Sequence, residues 1–131
     1  MIQEFTKRYE EDGSEINFIK NDLGTMLSFK KGFKLLFDIG DKIVIKLWIK
    51  DYISKETISQ NEFDILKLAL SLLKKNAIHR ARIIIFEQYG IGLKILRYKG
   101  GYKFILICKD IDEKIISEEQ YDLLLAFINM M

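Results

Sequence analysis

The chain is poor in the side chains that most often bind metals or perform acid–base catalysis. Its 131 residues include one cysteine and one histidine. A single cysteine excludes an intramolecular disulfide and indicates a reducing compartment, and Cys108 lies in the aliphatic segment FILICKD, where a small buried side chain is expected. His79 alone cannot build a histidine cluster or a Cys/His zinc site. We therefore predict no metal and no cofactor.

Long apolar runs are also absent. The longest, LLLAFINMM at 123–131, is far shorter than the ~20 residues that a bilayer requires. Met1 is followed by charged residues rather than by a signal-peptide core. We expect a cytoplasmic protein that makes no membrane contact. The composition, 49% hydrophobic and 31% charged, is typical of one globular domain over residues 1–131, and the net charge of +2 neither supports nor excludes an anionic partner.

The sequence lacks a catalytic constellation. Gly90-Ile91-Gly92 has no third glycine and falls between two strands, so it indicates a hairpin turn rather than a phosphate loop. No serine stands in a strained elbow motif. Several carboxylates fall in turns and first helical turns, where capping and solubility explain them: Asp38, Asp41, Glu118 and Glu119. We predict that the protein is not an enzyme.

Short strands separated by turn residues fill the first part of the chain. Asp12-Gly13 predicts a hairpin over residues 2–20. Turn residues at Asp22-Leu23-Gly24, Lys31-Gly32 and Gly40-Asp41 separate the strands that follow. Residues 43–49 alternate between large aliphatic side chains and a face that bears Lys46 and Trp48. The pattern predicts a strand buried on one side only.

Two segments predict helices with the same kind of start. Ser59 with Glu62 forms a capping box, and apolar residues at spacings of three and four follow until Asn76. Ser117 with Gln120 repeats this start before EEQYDLLLAFINMM, which is apolar on nearly all sides after Asp122. Such a helix has to be covered on most sides, either between a sheet and a partner helix or at a subunit interface.

The two helical segments also resemble each other in sequence. KETISQNEFDILKLAL at 55–70 aligns with EKIISEEQYDLLLAFI at 113–128, and Lys50-Asp51 has a counterpart in Lys109-Asp110. We predict an α+β fold made of two tandem strands-then-helix repeats, at about 15–76 and 80–131, preceded by the extra hairpin. The sheets are expected to be antiparallel, with the two helices packed together on one side.

Basic and aromatic residues alternate along the predicted strands. This mixture binds single-stranded nucleic acid, because cations follow the phosphates and aromatic faces stack on bases. The alternative is that the lysines solvate an exposed sheet and that Trp48 covers part of the core. The candidate residues are Lys34, Lys46, Trp48 and Lys50 in the first half and Arg82, Lys94, Tyr98, Lys103 and Lys109 in the second.

Two motifs resemble the single-stranded-DNA-binding transcriptional coactivator family. In that family an aromatic-Lys-Gly turn precedes an aliphatic strand and an Ile-Ser step precedes a helix, to which YKGGYKFILI and IISEEQYDLL are similar. In the first half, IGDKIVIKLWI and TISQNEFDIL are similar more loosely. Two such units in one chain resemble the plan of the Whirly, Pur-alpha and kinetoplastid guide-RNA-binding proteins. The family's basic, Gly- and Pro-containing stretch before the Ile-Ser step is replaced here by SKET and DEK.

The resemblance implies a curved antiparallel sheet that binds single-stranded DNA or RNA without catalysis. It also implies helices that mediate homo-oligomer contacts, which we assign to Tyr121, Leu124, Leu125 and Ile128. The alternative is a protein-interaction or oligomerisation module on the same scaffold, with the sheet covered by another chain. A small-molecule binder is the third possibility.

Overall fold

The computed structural model of the chain describes residues 2–84 and 90–131. In these residues it contains an antiparallel six-stranded sheet, an antiparallel four-stranded sheet and two helices. The six-stranded sheet comprises β1 Gln3–Tyr9, β2 Ser14–Asn21, β3 Gly24–Lys30, β4 Lys34–Ile39, β5 Ile43–Ile49 and β6 Tyr52–Ile58. Helix α1, Gln60–Lys74, leads to β7 Arg80–Ile84, β8 Gly92–Tyr98, β9 Gly101–Cys108 and β10 Asp110–Ile116, and the chain continues into α2, Glu118–Asn129.

The six-stranded sheet is a simple meander in which each strand pairs with the next. Leu27 of β3 faces Phe18 on one side and Phe37 on the other, and Phe37 faces Ile45. Because side chains alternate along a strand, this row and its parallel rows place the large apolar residues on one face of the sheet. That inner face packs into the core, and the other face points outward.

The four-stranded sheet has the order β10-β9-β8-β7 and the same antiparallel pairing. Its inner face carries Tyr102, Phe104 and Leu106 of β9, each no more than 2% exposed. The sequence RARIIIFEQ at 80–88 favours a strand, and β7 is present up to Ile84. Residues 85–88 of this segment lie outside the described residues. Gly101 begins β9 and is buried against the carbonyl of Ile116, which leaves no room for a side chain.

The two helices begin where the capping boxes predict. The side chain of Ser59 accepts a hydrogen bond from the backbone of Glu62, and that of Ser117 accepts one from Gln120. Each Glu or Gln side chain in turn accepts a bond from the serine backbone, as the motif requires. Both predicted helix starts are confirmed.

Aromatic contacts join the two sheets and the two helices in one core. Phe37 of β4 contacts Phe63 of α1, with ring centroids 6.3 Å apart, and Phe29 of β3 contacts Phe104 of β9 at 6.3 Å. Helix α2 is joined to the six-stranded sheet by the stacked rings of Phe18 and Phe127, 4.5 Å apart. The helices therefore lie on the inner faces of the sheets, which leaves the outer faces to solvent.

The prediction that α2 mediates subunit contacts is wrong for three of its four residues. Tyr121, Leu124 and Ile128 are only 2%, 5% and 3% exposed within the chain itself. They belong to the core shared by the helices and both sheets, so they are not available to a second copy. Leu125 is half-buried and lines an apolar cavity of about 20 Å³ in the same region. The sequence left two possibilities for this helix, burial between a sheet and a partner helix or a place at a subunit interface. The structure shows the first.

The predicted α+β class with antiparallel sheets is confirmed, and the helices touch: the Tyr121 hydroxyl donates to the Leu70 carbonyl at 2.6 Å. Strand β6 was not predicted. Its side chains are mostly exposed and only Ser54 is buried, so it carries no hydrophobic alternation. In the described part of the chain, neither helix combines the length and the apolar character needed to cross a bilayer.

Candidate nucleic-acid interface

Lys34, Lys46 and Trp48 lie together on the outer face of the six-stranded sheet. Lys34 of β4 is directly opposite Trp48 of β5, and its Nζ lies 4.8 Å from the centroid of the indole. A cation at this distance from an indole face is attracted by the ring quadrupole. Lys46 precedes Trp48 by two residues, which places both side chains on the same side of the strand. Three of the four candidate residues in the first half of the chain, Lys34, Lys46 and Trp48, thus share one surface.

Two lysines that sequence reasoning missed extend this surface on either side. Lys30 of β3 pairs with Lys34, and Lys55 of β6 pairs with Lys46. We call the surface formed by Lys30, Lys34, Lys46, Trp48 and Lys55 the Trp48 face. Lys30 shares the alternation of β3 with Ser28 and was open to prediction, whereas Lys55 lies on the strand that the sequence did not reveal.

Two carboxylates also lie on this outer face, Glu15 opposite Lys30 and Asp38 two residues after Leu36 on β4. Among the described residues, no ion pair involves any of its four lysines. Glu15, which faces Lys30 across the β2–β3 pair, is bound instead to Arg8 at 2.9 Å. Leu36 shares this face and is only 6% exposed, so the long side chains around it also cover an apolar spot. The face is both a cover for Leu36 and a concentration of positive charge.

Lys50 and Lys109 belong to neither outer face. Lys50 follows β5 and Lys109 follows β9, in each case the last strand but one before a helix. Both lie in tight turns with a positive φ, 52° for Lys50 and 47° for Lys109. The alternation of β5 therefore stops at Ile49, and Lys50 does not continue it. The two turns line one small pocket together with Tyr52 and Asp110. A hydrogen bond with the Tyr52 hydroxyl raises the pKa of Lys109.

Arg82, Lys94, Tyr98 and Lys103 share the outer face of the four-stranded sheet. Arg82 pairs with Lys94, and Lys103 pairs with Leu96, which lies two residues from each of Lys94 and Tyr98 on β8. This face differs from the Trp48 face because one of its positive charges is paired with a carboxylate. Lys103 forms an ion pair with Glu113 at 3.2 Å, and its Nζ also lies 3.9 Å from the Tyr98 ring centroid.

Isoleucines occupy much of the rest of that surface. Ile105 and Ile107 of β9 are half-buried, whereas Ile111 and Ile115 of β10 are 70% and 49% exposed. They lie on the same side as Lys103, because Ile107 pairs with Ile111 and Lys103 pairs with Ile115. The outer face of the four-stranded sheet is therefore more apolar than the Trp48 face.

The described residues offer no metal-binding group of three or more His, Cys, Asp or Glu side chains. His79 is exposed at the end of the α1–β7 connection, and its carbonyl accepts a hydrogen bond from the backbone of Arg97. Cys108 is buried at 8% exposure, as predicted. The strongest pKa shifts fall elsewhere: hydrogen bonds from Ser14 hold the pKa of Asp12 well below its usual range, and burial raises the pKa of Tyr121.

No protein-family profile, curated protein or solved structure matches the chain. A function for the chain is therefore inferred from its own surfaces, the Trp48 face and the outer face of the four-stranded sheet.

Proposed function

We propose that the protein binds single-stranded nucleic acid, without catalysis, on the Trp48 face. The observation that carries this proposal is the row in which Lys30, Lys34 and Trp48 stand side by side on neighbouring strands. Single-stranded DNA and RNA expose both phosphates and unpaired bases, so they are bound where cations flank an aromatic ring. A duplex hides its base faces and would gain only the electrostatic part.

The location of the acidic residues supports this proposal despite a net charge of only +2. Many of the carboxylates stand in turns and at helix starts, including Glu10, Glu11, Asp41, Asp51, Glu62 and Glu118. The lysines of the Trp48 face, by contrast, are gathered on one sheet surface without ion-pair partners in the described part of the chain. Since electrostatic attraction depends on local charge, the net charge understates what a polyanion would meet at this face.

Trp48 also supplies the experiment, because it is the only tryptophan in the chain. Its fluorescence should be quenched when oligo-dT or oligo-U of about 20 nucleotides is added, since a base stacked on the indole alters its emission. With four lysines at the site, the logarithm of the affinity should fall with the logarithm of the salt concentration with a slope of about −3. That slope corresponds to a loss of roughly 60-fold between about 50 and about 200 mM salt.

Charge reversal tests where the phosphates lie. Lys46→Glu with Lys55→Glu should weaken oligonucleotide binding at least tenfold and reduce the salt slope to about half. The matched control is Lys20→Glu with Lys42→Glu, which makes the same change in net charge at the opposite end of the sheet, beside the β2–β3 and β4–β5 turns. The control should bind like the unmodified chain. Equal losses in both variants, or no quenching at about 50 mM salt, would overturn the proposal.

Trp48→Ala separates stacking from electrostatics. Removal of one base–aromatic stack should cost about 1–3 kcal/mol of binding free energy while the salt slope stays unchanged. Because the variant has no tryptophan fluorescence, its affinity is measured from the fluorescence anisotropy of a labelled oligonucleotide. Because Trp48 is half-exposed, the variant should remain folded, which circular dichroism can verify.

A protein-interaction module is the second candidate, and the exposed Ile111 and Ile115 favour it. These side chains leave an apolar strip at the edge of the four-stranded sheet, a feature that is common at protein contacts. If the Trp48 face fails to bind any oligonucleotide at low salt, this becomes the first candidate.

We also infer that the chain is a tandem repeat. The last four of the six strands before α1 correspond in order to the four described strands before α2, and each set leads into a capped helix. Lys50-Asp51 and Lys109-Asp110 stand at corresponding turns, each with a left-handed lysine. Left-handed lysines are uncommon, so two at matching positions support a common origin of the halves. Superposition of β3–α1 on β7–α2 in a crystal structure tests this inference.

A further inference from the structure

Helix α1 carries a second apolar stripe on the side that faces away from the core. Its buried stripe consists of Phe63, Leu66, Leu70 and Leu73. On the opposite side, Ile65 and Leu68 are each 58% exposed, and Leu72 is half-buried. A surface helix normally places polar residues there. This exposure therefore requires an explanation other than packing within the chain.

The spacing of the outer stripe is that of a helix–helix seam. Asn61, Ile65, Leu68, Leu72 and Lys75 follow one another at alternating intervals of four and three residues, which is the a/d pattern of a heptad. The seam is not used by α2, the other helix in the described part of the chain. Helix α2 meets α1 on a different side, through the carbonyl of Leu70 and the ammonium group of Lys74.

The charges along the seam are self-complementary in one orientation. The helix begins with Glu62 and Asp64 and ends next to Lys75. If a second α1 lies antiparallel across a twofold axis near Leu68, Ile65 of one copy faces Leu72 of the other. The same operation brings the acidic start of each helix to Lys75 of its partner, whereas a parallel arrangement would place like charges together.

The apolar surface continues beyond the helix. A groove beside Ile65 and Ala69 is lined further by Ile58 of β6 and Ile83 of β7, together with the charged Glu56, Glu62 and Arg82. Ile65 belongs to both the seam and the groove, so the two adjoin, and apolar surface bordered by charged residues is common at protein interfaces. We propose that the occupant is a second copy of this chain, docked antiparallel on α1 to form a twofold-symmetric dimer.

Sedimentation equilibrium at micromolar concentrations tests the dimer directly. The expected mass is twice the 15.5 kDa of the chain. Ile65→Asp with Leu68→Asp should give the monomer mass, and both side chains are exposed enough for the variant to stay folded. Ile111→Asp, at a more exposed isoleucine on β10 of the four-stranded sheet, should remain dimeric. A monomeric unmodified chain, or a dimer that survives the double substitution, would overturn the proposal.

A charge swap tests the orientation. In the register that sets Ile65 opposite Leu72, Lys75 lies opposite Glu62 of the partner. Glu62→Lys alone places a lysine against Lys75 of the partner, and Lys75→Glu alone places a glutamate against Glu62, so each variant should dimerise at least tenfold more weakly. An equimolar mixture should recover the dimer, because each lysine then faces a glutamate. The hydrogen bond from the Ser59 backbone to the Glu62 side chain is lost in the Glu62→Lys chain whether that chain is alone or mixed. Recovery therefore reports the contact between chains, and its absence would refute the antiparallel dimer.

This inference does not depend on nucleic-acid binding. The seam lies on α1, which packs against the inner faces of the sheets, whereas the Trp48 face is on the outside of the six-stranded sheet. Either property can fail in its own experiment while the other is retained.

Discussion

Tyr102 and Tyr121 stack face to face between β9 and α2, with ring centroids 3.7 Å apart and planes inclined by 12°. Each hydroxyl is bound to a different neighbour. Tyr121 donates to the Leu70 carbonyl at 2.6 Å, and the hydroxyl of Tyr102 accepts a hydrogen bond from Arg97 at 3.2 Å. Arg97 also donates to the Leu73 carbonyl near the end of α1. The pair thus connects both helices to the four-stranded sheet.

We expect the Tyr121 hydroxyl to contribute measurably to stability. Tyr121→Phe keeps the stack but removes the hydrogen bond to α1, so the free energy of unfolding should fall by about 1–2 kcal/mol. Urea denaturation measures the difference. Tyr98→Phe, at a half-exposed tyrosine on the outer face, should change stability by less than about 0.5 kcal/mol. If Tyr121→Phe leaves the free energy of unfolding unchanged, the hydrogen bond to Leu70 makes no net contribution to stability.

The same tyrosines predict a loss of stability at alkaline pH. Burial raises the pKa of Tyr102 and Tyr121 above the ordinary value of 10.0. In the folded chain the neutral hydroxyls are retained, while the unfolded chain ionises near pH 10, so their contribution is complete below pH 10 and is lost as pH rises further. For Tyr121, whose pKa is raised the more strongly, the decline should approach about 1.4 kcal/mol per pH unit above pH 10, and Tyr102 should add to it.

Urea titrations between pH 8 and pH 11 measure this slope, and Tyr121→Phe should make it shallower. The same slope in both proteins would show that Tyr121 ionises equally in the folded and unfolded states.

Asp12 should cause a loss of stability at acidic pH. Its carboxylate accepts hydrogen bonds from the backbone and hydroxyl of Ser14 and pairs with Lys31 at 3.0 Å, which holds its pKa well below 3.8. Stability from this group is therefore present above pH 3.8 and is lost as pH falls below it. Asp12→Asn should cost about 1 kcal/mol at pH 7, after allowance for solvent screening of a carboxylate that is 35% exposed.

Urea unfolding at pH 7 and pH 3 provides the comparison. The difference between the two proteins should narrow at the lower pH, and a constant difference would mean that the charge of Asp12 is irrelevant.

The two capping boxes should differ in their effect on stability. Glu62 is exposed, whereas Gln120 is only 2% exposed and also bonds to Ser14 and Lys31. Gln120→Ala removes hydrogen bonds to Ser14, to Lys31 and to the Ser117 backbone at a buried site, although Ser14 and Lys31 keep Asp12 as a partner. We expect it to cost about 2–3 kcal/mol. Glu62→Ala leaves the backbone N–H of Ser59 free to bind water, so it should cost about 1 kcal/mol or less. Thermal or urea unfolding of the two variants gives the ranking, and equal costs would contradict the argument from burial.

Neighbouring glycines at the start of β9 provide a matched pair of substitutions. A Cβ on Gly101 would lie 2.7 Å from the carbonyl oxygen of Ile116, so Gly101→Ala forces the backbone to move and should cost about 2–3 kcal/mol. At Gly100, φ is 73° and a Cβ would meet nothing within 4 Å. Gly100→Asn should cost less than about 1 kcal/mol, because asparagine tolerates this conformation. Urea unfolding tests both, and a stable Gly101→Ala protein would refute the close approach.

Sequence patterns were sufficient to predict those features of the fold that depend on neighbouring residues alone. The serines at 59 and 117 begin helices because each stands three residues before a Glu or Gln, and Ile43 to Ile49 alternates because one side of β5 is buried. The same alternation placed Lys46 and Trp48 on one face. Lys34 joined them because the β4–β5 register sets it opposite Trp48, a pairing that the short turn at Gly40 made foreseeable.

Tertiary packing decided what the sequence could not reveal. Both Glu62 and Gln120 satisfy the same motif, and only the position of α2 against the β1–β2 turn shows why one of them is buried. Tyr121, Leu124 and Ile128 look like interface residues in sequence because nothing local indicates that two sheets enclose them. Conversely, the exposed seam of α1 is inconspicuous in a sequence where leucines also form the buried stripe.

Each sheet ends in strands whose charged side chains discourage the lateral addition of another chain. The end strands of the six-stranded sheet carry Arg8 and Lys55, and those of the four-stranded sheet carry Arg80, Arg82, Asp112 and Lys114. Charged side chains on an edge strand disfavour the lateral addition of another strand, which opposes fibril-like growth at high concentration. The edges of the sheets are thus protected against open-ended addition of strands from further copies. The proposed α1 contact differs because it closes once a single second copy has bound.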